Sequence, residues 1–417
     1  MKLQEVENIK FVEGGVCAAK GFKANGIQCG LSHAGASVTA KKNDLALIVA
    51  DKDCTAAAVY TTNKVKGAPI LVTKEHIKDG TARAVIVNSV NANTCNADGV
   101  EKAAKMCALA AAELGIDEND VIVASTGVIG QILPIEPIAN GMKSLVEGLS
   151  YDGNPRAVEA IMTTDTMPKE VAVQFEMGGK TCTMGGMLKG SGMIHPNMAT
   201  TLTFITTDAD ISAELLQRAL SDVVKITLNR VSVDGDTSTN DMVCVIASGT
   251  AENAPVKKEN EDFEIFENAL YAVMMNLARM MARDGEGATK LIECVCTGAD
   301  TEKTAETVAK SVITSSLFKA AMFGEDANWG RILCAVGYAD AEFDINNVSV
   351  TIGSEKGSVE VCRNGAGVEF SEEKAKKILQ EEVINIVISI GNGGGTAVAW
   401  GCDLTYDYVK INGDYRS

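Results

Sequence analysis

Histidines are few in this sequence, and its cysteines follow no metal-binding pattern. Three histidines and twelve cysteines occur among 417 residues. Cys294 and Cys296 are the one close pair, and a zinc site would need two further ligands that no histidine spacing supplies. We therefore expect no metal site, and we interpret most cysteines as buried, reduced thiols.

Positive charge and long apolar runs are also in short supply. The formal net charge is −17 at pH 7. An acidic surface of this kind repels phosphate groups, so nucleic acids and anionic membranes are poor candidates as partners. No stretch approaches the roughly 18 apolar residues of a membrane span, and the first residues lack the apolar core of a signal peptide. We expect a cytoplasmic enzyme or binding protein.

The length and the hydrophobic pattern predict a layered fold. A chain of 417 residues is too long for one small core, so two or three lobes are expected. Short Val/Ile-rich runs bounded by polar residues are typical of buried strands, and longer amphipathic runs are typical of helices. Strands are predicted at 84–90, 120–126, 201–206, 241–247, 289–296, 349–352, 358–361 and 383–390, and helices at 101–115, 212–228, 262–283, 301–323 and 371–382. The sequence therefore predicts an α/β (α+β) layered sandwich of sheets covered by helices, with 251–260 as an exposed loop.

Glycine is abundant, with 39 residues, and four glycine-containing clusters stand out, at 185–196, 232–241, 282–290 and 391–397. Glycine at these densities implies tight turns or close approach of backbone to a ligand, and the interspersed hydroxyl and acidic residues suit a binding site. Segment 391–397, GNGGGTA, lacks the residue order of a phosphate-binding loop, so nucleotide binding is disfavoured. Segment 232–241 is rich in acceptors; a hydrogen-bonded turn that supports the active-site strand is preferred over a cation site.

Ala199 and Thr200 lie where the first glycine-rich segment meets a Thr-rich strand. An internal threonine is a weak nucleophile, whereas an N-terminal threonine carries its own base, an α-amine with a reference pKa of about 7.7–8.0. The small Ala199 side chain leaves its carbonyl open to attack by the Thr200 hydroxyl, which would start cleavage. Ala-Thr is a common dipeptide, so the hypothesis depends on the surrounding sequence.

That surrounding sequence resembles the ornithine acetyltransferase, or glutamate N-acetyltransferase, family of arginine biosynthesis. The matching stretches, in family order, are VIVASTGVIG, IMTTDTMPK, GGMLKGSGMIHPNMATTL, SVDGDTSTND, ARDGEGATK, FGEDANWGRI and the C-terminal GDYRS. The resemblance implies the fold shared with self-processing aminopeptidases and self-cleavage between Ala199 and Thr200. It implies an α chain of residues 1–199 and a β chain of residues 200–417, assembled as a heterotetramer of two α and two β chains.

The resemblance also implies the site residues. It makes Thr200 the nucleophile and Thr126 with Gly127 the oxyanion hole. Lys189, in a glycine-rich loop, suits a substrate carboxylate, and Glu286, between two glycines, suits a substrate amine. The substrate-binding set that it implies is Thr163, Lys189, Thr200, Glu286, Asn412 and Ser417, with Asp165 as a local hydrogen-bond acceptor and His195 as a loop-packing residue. The chain ends Tyr-Arg-Ser where the family usually ends Tyr-Thr-Thr, which bears on substrate preference.

The resemblance implies transfer of acetyl from N2-acetylornithine to glutamate through an acetyl-threonine intermediate. No metal or organic cofactor is required, although some family members also accept acetyl-CoA as a co-substrate. Two alternatives stay open. An N-terminal-nucleophile amidase or aminopeptidase would use water as the acceptor, and a non-catalytic amino-acid or nucleotide binder would remain one intact chain.

Overall fold

A computed structural model of the protein describes residues 1–31, 42–195 and 201–414. Ala199, Thr200 and Ser417 lie outside the described residues. The strands are β1 Lys10–Val12, β2 Phe22–Ile27, β3 Leu45–Tyr60, β4 Thr81–Asn88, β5 Val121–Ser125, β6 Lys169–Met177, β7 Lys180–Lys189, β8 Leu202–Thr207, β9 Val231–Ser232, β10 Met242–Ala247, β11 Leu291–Ala299, β12 Ser349–Ser354, β13 Gly357–Arg363, β14 Ala366–Gly367, β15 Val383–Ser389 and β16 Gly395–Cys402. The helices are α1 Ala68–His76, α2 Gly99–Leu114, α3 Ile135–Glu147, α4 Asn154–Ile161, α5 Ala213–Ile226, α6 Glu261–Arg283, α7 Glu302–Thr314, α8 Ser316–Phe323, α9 Trp329–Gly337, α10 Glu372–Leu379 and α11 Tyr406–Asp414.

The larger sheet mixes strands from both sides of the expected cut. Its strand order is β1-β6-β7-β8-β10-β3-β4-β5, with β2 also paired to β3. The long strand β3 makes this possible, because its first half pairs with β2 and its second half with β10. β8 runs antiparallel to β7 and parallel to β10. Two strands that follow residue 200 therefore lie between strands that precede it.

The second sheet is built from the later part of the chain, in the order β14-β13-β12-β15-β11-β16-β9. Helix α6 lies between the two sheets, because it packs on β6 and β7 and also on β11 and β16. Helix α7 packs on β11 and β16, and α10 packs on β12 and β13. Helix α4 packs on β2 and β3 of the larger sheet, while α2 and α3 form a further layer with β5 and β2. The predicted layered sandwich of sheets and helices is confirmed.

Local signals predicted many elements, although strands β3, β6 and β7 were not among the predicted ranges. Helix α2 ends at Gly115, which has a left-handed φ of 67°, and α5 begins after Ser212, whose side chain accepts from the Leu215 N–H. Cys294 and Cys296 are both fully buried, as predicted. Among the free cysteines, however, Cys95 and Cys334 are exposed.

One helix prediction was wrong, and the predicted exposed loop was confirmed only in part. The single helix expected at 301–323 is two helices, because Ser315 adopts an extended conformation (ψ 112°) and caps α8 by accepting from the Phe318 N–H. The loop at 251–260 is only partly exposed, since Ala251, Asn253 and Val256 are buried. Asn253 is drawn inward because its side-chain oxygen accepts from the Asp210 N–H at 2.8 Å. Across the described ranges, no helix is long and apolar enough to cross a bilayer.

Candidate active site

One cavity of about 210 Å³ collects most of the predicted site residues. They come from segments that are far apart in the chain, at the ends of β5, α4, β7 and α6 and on α11. The predicted residues that line it are Thr126, Gly127, Thr163, Lys189, Glu286 and Asn412. The fold thus brings six predicted residues to one place, while Ala199, Thr200 and Ser417 fall outside the described residues.

The turn after β5 exposes two hydrogen-bond donors to this cavity. Parallel pairing of β4 with β5 continues into the turn, where the Val128 N–H donates to the Val90 carbonyl at 3.0 Å. Gly127 has φ 130°, and a Cβ at this position would overlap the Val90 carbonyl group, so only glycine fits. Within the described residues, neither the Gly127 N–H nor the Thr126 hydroxyl has a protein partner. Both groups are available to stabilise a negatively charged oxygen.

Asn240 fixes this turn from segment 232–241. Its side-chain amide donates to the carbonyls of Ala92 at 2.6 Å and Ser125 at 3.0 Å, and its oxygen accepts from the Thr94 hydroxyl at 2.6 Å. The side chain is buried and fully bonded. The prediction that this segment is a hydrogen-bonded turn supporting the site is confirmed, because Asn240 holds the backbone on both sides of the turn.

Lys189 brings positive charge to the cavity. The prediction that Lys189 lies in a loop is wrong: it is the last residue of β7 and pairs with Leu202 at the start of β8, so its position is set by the sheet. Its side chain is half-buried, and among the described residues it forms no ion pair. A half-buried ammonium without a direct ion-pair partner among the described residues is suited to a substrate carboxylate.

A buried ion-pair network connects the Thr163 loop to the Glu286 loop. The Lys169 ammonium lies 2.7 Å from the Asp165 carboxylate and 2.5 Å from the Asp284 carboxylate. Asp165 also accepts from the N–H groups of Thr163 at 3.0 Å and Gly190 at 2.8 Å, as predicted for a local acceptor. Burial alone would raise the pKa of Asp165, but the charges of Lys169 and Lys189 hold it well below its usual range. The Asp165 carboxylate therefore stays ionised and holds the backbone at Thr163 and Gly190. Lys169 links it to Asp284, two residues before Glu286.

Glu286 supplies negative charge to the cavity that Thr126, Gly127 and Lys189 also line. Its N–H donates to the Ser191 carbonyl at 2.9 Å, and its carboxylate accepts from the Asn412 side chain at 2.7 Å. A Cβ at Gly192 would overlap the Glu286 carboxylate, so glycine at that position leaves the space that the carboxylate occupies. Glu286 is 8% exposed, which leaves it only a narrow opening toward a ligand.

Three titratable residues of the cavity were not among the predicted set: Asp234, Asp236 and Tyr408. Asp234 accepts from the N–H groups of Met193 at 2.6 Å and Ile194 at 2.8 Å, which holds Met193 in a left-handed conformation with φ 56°. Tyr408 lies one helical turn before Asn412, so helical spacing could have identified it. Burial and the nearby Asp234 raise the pKa of Tyr408.

Other sequence features lie outside this cavity or have a packing role. The His195 ring contacts the Ser232 hydroxyl at 3.1 Å, which fits the predicted loop-packing role. Burial is the main factor that lowers the pKa of His195. Segment 391–397 belongs to the second sheet, where Gly393 approaches the Ala299 backbone. In the parts of the chain that the structure describes, no group of three or more candidate metal ligands occurs.

The arrangement suits a small molecule that carries a carboxylate, an amine and a carbonyl. An ammonium from Lys189, a carboxylate from Glu286 and the two donors of the Thr126–Gly127 turn face one cavity. A smaller adjoining cavity of about 20 Å³ is lined by Thr126, Lys189 and Thr201, among others. Thr201 is bonded to Thr200, so the donors and charges converge beside the position of the expected nucleophile.

Comparison with known proteins gives a match along nearly the whole chain. A sequence profile described as the ArgJ family matches residues 24–417. An arginine biosynthesis bifunctional protein ArgJ 1 from Clostridium acetobutylicum is 48% identical over 397 residues, which are 95% of this chain and 96% of that protein. The arginine biosynthesis bifunctional protein ArgJ from Caldanaerobacter subterraneus is 47% identical over 410 residues. The match covers 98% of this chain and 100% of that protein.

Among solved structures, ornithine acetyltransferase complexed with ornithine from Mycobacterium tuberculosis is 35% identical to this chain. The match covers 46% of this chain and 100% of the solved chain, with a TM-score of 0.42.

Proposed function

This chain belongs to the ArgJ family, and on that premise we propose that it transfers the acetyl group of N2-acetylornithine to glutamate, in arginine biosynthesis. The observation that carries the proposal is the convergence of Thr126, Gly127, Lys189 and Glu286 on one cavity beside the start of β8. The products are ornithine and N-acetylglutamate.

The nucleophile is made by cleavage of the chain. The Thr200 hydroxyl attacks the Ala199 carbonyl, and hydrolysis of the resulting ester frees Thr200 as a new N-terminus. Its α-amine then serves as the base for its own hydroxyl, because its reference pKa of about 7.7–8.0 leaves part of it neutral near pH 7. An uncleaved chain lacks this base and is inactive in transfer.

In transfer, the Thr200 hydroxyl attacks the acetyl carbonyl of the donor. Thr126 and Gly127 donate hydrogen bonds to the developing oxyanion, and one such donor contributes about 10²–10³ in rate. Lys189 binds the α-carboxylate that both substrates share, and Glu286, held by Asn412, faces the amine side. Thr163 and Ser417 complete the substrate contacts.

Ornithine leaves the acetyl-threonine enzyme, and the glutamate amine then attacks the ester. Amide and ester exchange needs no metal or organic cofactor. The word bifunctional in the relatives' names supports a second reaction, in which acetyl-CoA acts as a co-substrate and acetylates glutamate.

Cleavage leaves an α chain of residues 1–199 and a β chain of residues 200–417. Strands β8 and β10 of the β chain lie between β7 and β3 of the α chain. Separating the two chains would break the β7–β8 and β10–β3 pairings. The fragments should therefore remain together, as an αβ unit that pairs into a heterotetramer of two α and two β chains in the cytoplasm.

A denaturing gel and a labelled-acetyl assay test this proposal. The wild-type protein should give two bands and convert labelled acetylornithine and glutamate to labelled N-acetylglutamate. Thr200→Ala should give one band and no transfer. Acetate as the main product would indicate an amidase instead, and cleavage that persists in Thr200→Ala would refute the nucleophile.

A further inference from the structure

The walls of the cavity carry more negative than positive charge. Among the described residues that line it, Lys189 is the one cation, whereas Asp234, Asp236 and Glu286 are carboxylates. The Thr126 hydroxyl also faces the cavity on a residue that is only 9% exposed, and no described protein group bonds to it. A buried polar group of this kind points to a polar ligand. The three carboxylates differ in what already holds them.

Two of the three carboxylates are bonded within the protein. Asp234 accepts from the N–H groups of Met193 at 2.6 Å and Ile194 at 2.8 Å. Glu286 accepts from the Asn412 side chain at 2.7 Å. Both carboxylates therefore hold neighbouring segments in place, whatever ligand they also face.

The third carboxylate, Asp236, has no such task. Across the described residues its side chain forms no hydrogen bond and no ion pair, and its N–H donates to Asp234 Oδ1 at 3.3 Å. The residue is exposed and also lines the cavity, so it lies where the cavity opens to solvent. A carboxylate without a protein partner at this place can pair with a cationic group of a ligand.

The turn that carries Asp236 is fixed on both sides. Before it, the Val233 N–H donates to the Ile194 carbonyl at 2.8 Å. After it, the Thr237 hydroxyl donates to the His195 carbonyl at 2.8 Å. Both bonds tie the turn to the segment that follows β7. A fixed turn keeps the carboxylate at one place on the wall, which lowers the entropy lost when a ligand pairs with it.

Tyr408 indicates that the three carboxylates act on one region of the wall. This residue lines the same cavity. Burial raises the pKa of Tyr408, and the charges of Asp234, Glu286 and Asp236 raise it further. A cationic group of a ligand beside Tyr408 would therefore lie in the negative potential of all three carboxylates.

The two substrates of the proposed reaction differ in the charge at the end of the side chain. Both carry an α-carboxylate, the group assigned above to Lys189. Acetylornithine ends in an ammonium, and glutamate ends in a carboxylate. We propose that Asp236 pairs with the side-chain ammonium of acetylornithine and so distinguishes the acetyl donor from the acceptor, an inference that rests on the function proposed above. The same charge repels the side-chain carboxylate of glutamate.

Asp236→Asn tests the proposal, because it keeps the size and polarity of the side chain and removes its charge. In a ping-pong reaction, kcat/KM for each substrate reports its own half-reaction, so donor and acceptor are measured separately. We expect kcat/KM for acetylornithine to fall about fivefold, which corresponds to about 1 kcal/mol for an exposed ion pair. kcat/KM for glutamate should rise by a similar factor, because the repulsion is removed. A general loss of structure would lower both values.

A truncated donor assigns the effect to the ammonium. N-acetylnorvaline has the carbon skeleton of acetylornithine but lacks the side-chain ammonium. The wild type should prefer acetylornithine, and Asp236→Asn should lower that preference about fivefold while leaving kcat/KM for N-acetylnorvaline unchanged. Asp236→Glu keeps the charge and should restore most of the preference.

Asp300→Asn is the matched control. Asp300 is exposed, follows the end of β11 that is opposite to the Glu286 loop, and does not line the cavity. This substitution changes the net charge of the protein by the same amount as Asp236→Asn. It should leave kcat/KM for both substrates at the wild-type values. Both variants should keep the wild-type melting temperature, because both side chains are exposed.

The outcomes separate this inference from the proposed function. A wild-type protein that transfers no acetyl group from acetylornithine to glutamate would overturn the proposed function. If the wild type is active, unchanged kcat/KM values in Asp236→Asn would overturn only the role of Asp236. An equal loss with acetylornithine and N-acetylnorvaline, or an equal change in Asp300→Asn, would also overturn that role alone.

Discussion

Replacing Lys169 by Met should destabilise the protein far more than removal of an exposed lysine in the same geometry. Lys169 and Asp165 are four residues apart with an Nζ–Oδ1 distance of 2.7 Å, and both side chains are 0% exposed. Lys377 and Glu373 are also four residues apart at 2.7 Å, but their side chains are 66% and 81% exposed. The two pairs differ in burial while sharing separation and distance.

The expected difference follows from that burial. Lys169→Met leaves Asp165 and Asp284 as buried carboxylates without their cation, and breaking a buried pair in this way costs about 3–5 kcal/mol. Coulomb's law gives a similar figure, about 4 kcal/mol for unit charges about 4 Å apart at an effective dielectric of about 20. Lys377→Met should cost less than about 0.5 kcal/mol, since exposed pairs of this spacing contribute little.

The contribution of Asp165 to stability should also depend on pH in the opposite direction in Lys169→Met. In the wild type, the depressed pKa of Asp165 contributes stability that is full above its unfolded value of about 3.9 and is lost as the pH falls through the folded value. In Lys169→Met, burial without the Lys169 cation raises the folded pKa of Asp165 relative to the wild type. Lowering the pH from 8 toward 5 then favours protonation of Asp165 in the folded variant, so the difference in unfolding free energy from the wild type should narrow.

Urea denaturation followed by circular dichroism at pH 8 and at pH 5 measures both effects as free energies of unfolding. If Lys169→Met lowers the free energy of unfolding no more than Lys377→Met does, solvent must reach the buried ion pair. If the difference in unfolding free energy between the wild type and Lys169→Met is larger at pH 5 than at pH 8, unpaired carboxylates are not the cause of the destabilisation.

Two glycine substitutions test the cavity itself, with Gly394→Ala as a shared control because nothing lies within 4 Å of a Cβ at that position. Gly127→Ala should lower the rate of acetyl transfer by about 10²–10³, since a Cβ there overlaps the Val90 carbonyl and must displace the oxyanion donor. A wild-type rate in that variant would exclude the Gly127 N–H from the oxyanion hole. Gly192→Ala should raise KM for the amine substrates about tenfold or more (about 1.4 kcal/mol per factor of ten), because its Cβ displaces the Glu286 carboxylate. Unchanged KM would mean that Glu286 does not contact substrate.

Local patterns in the sequence were sufficient for much of the secondary structure. Helix α6 was predicted to within a residue, because apolar spacing, an Asn260 cap and acidic residues in its first turn all lie within the segment itself. Prediction failed at Ser315, whose extended conformation and capping contact with the Phe318 N–H interrupt an otherwise continuous helical run.

The site residues became predictable only through motifs that match a family, because no local rule distinguishes Lys189 from a solvated lysine. The resemblance identified six residues that the fold gathers in one cavity. It did not identify Tyr408 or Asp234, whose roles come from packing between α11 and the loop that precedes β10.

The sequence by itself predicted many of the helices and strands and, through the family resemblance, the candidate site residues. Only the tertiary structure decided that β8 and β10 lie between β7 and β3, and that Lys169 joins carboxylates 4 and 115 residues away. The physical reason is the distance along the chain over which each interaction acts. Helix periodicity and capping act over one or two turns, whereas strand order, burial and the satisfaction of a buried charge depend on segments that meet only when the chain has folded.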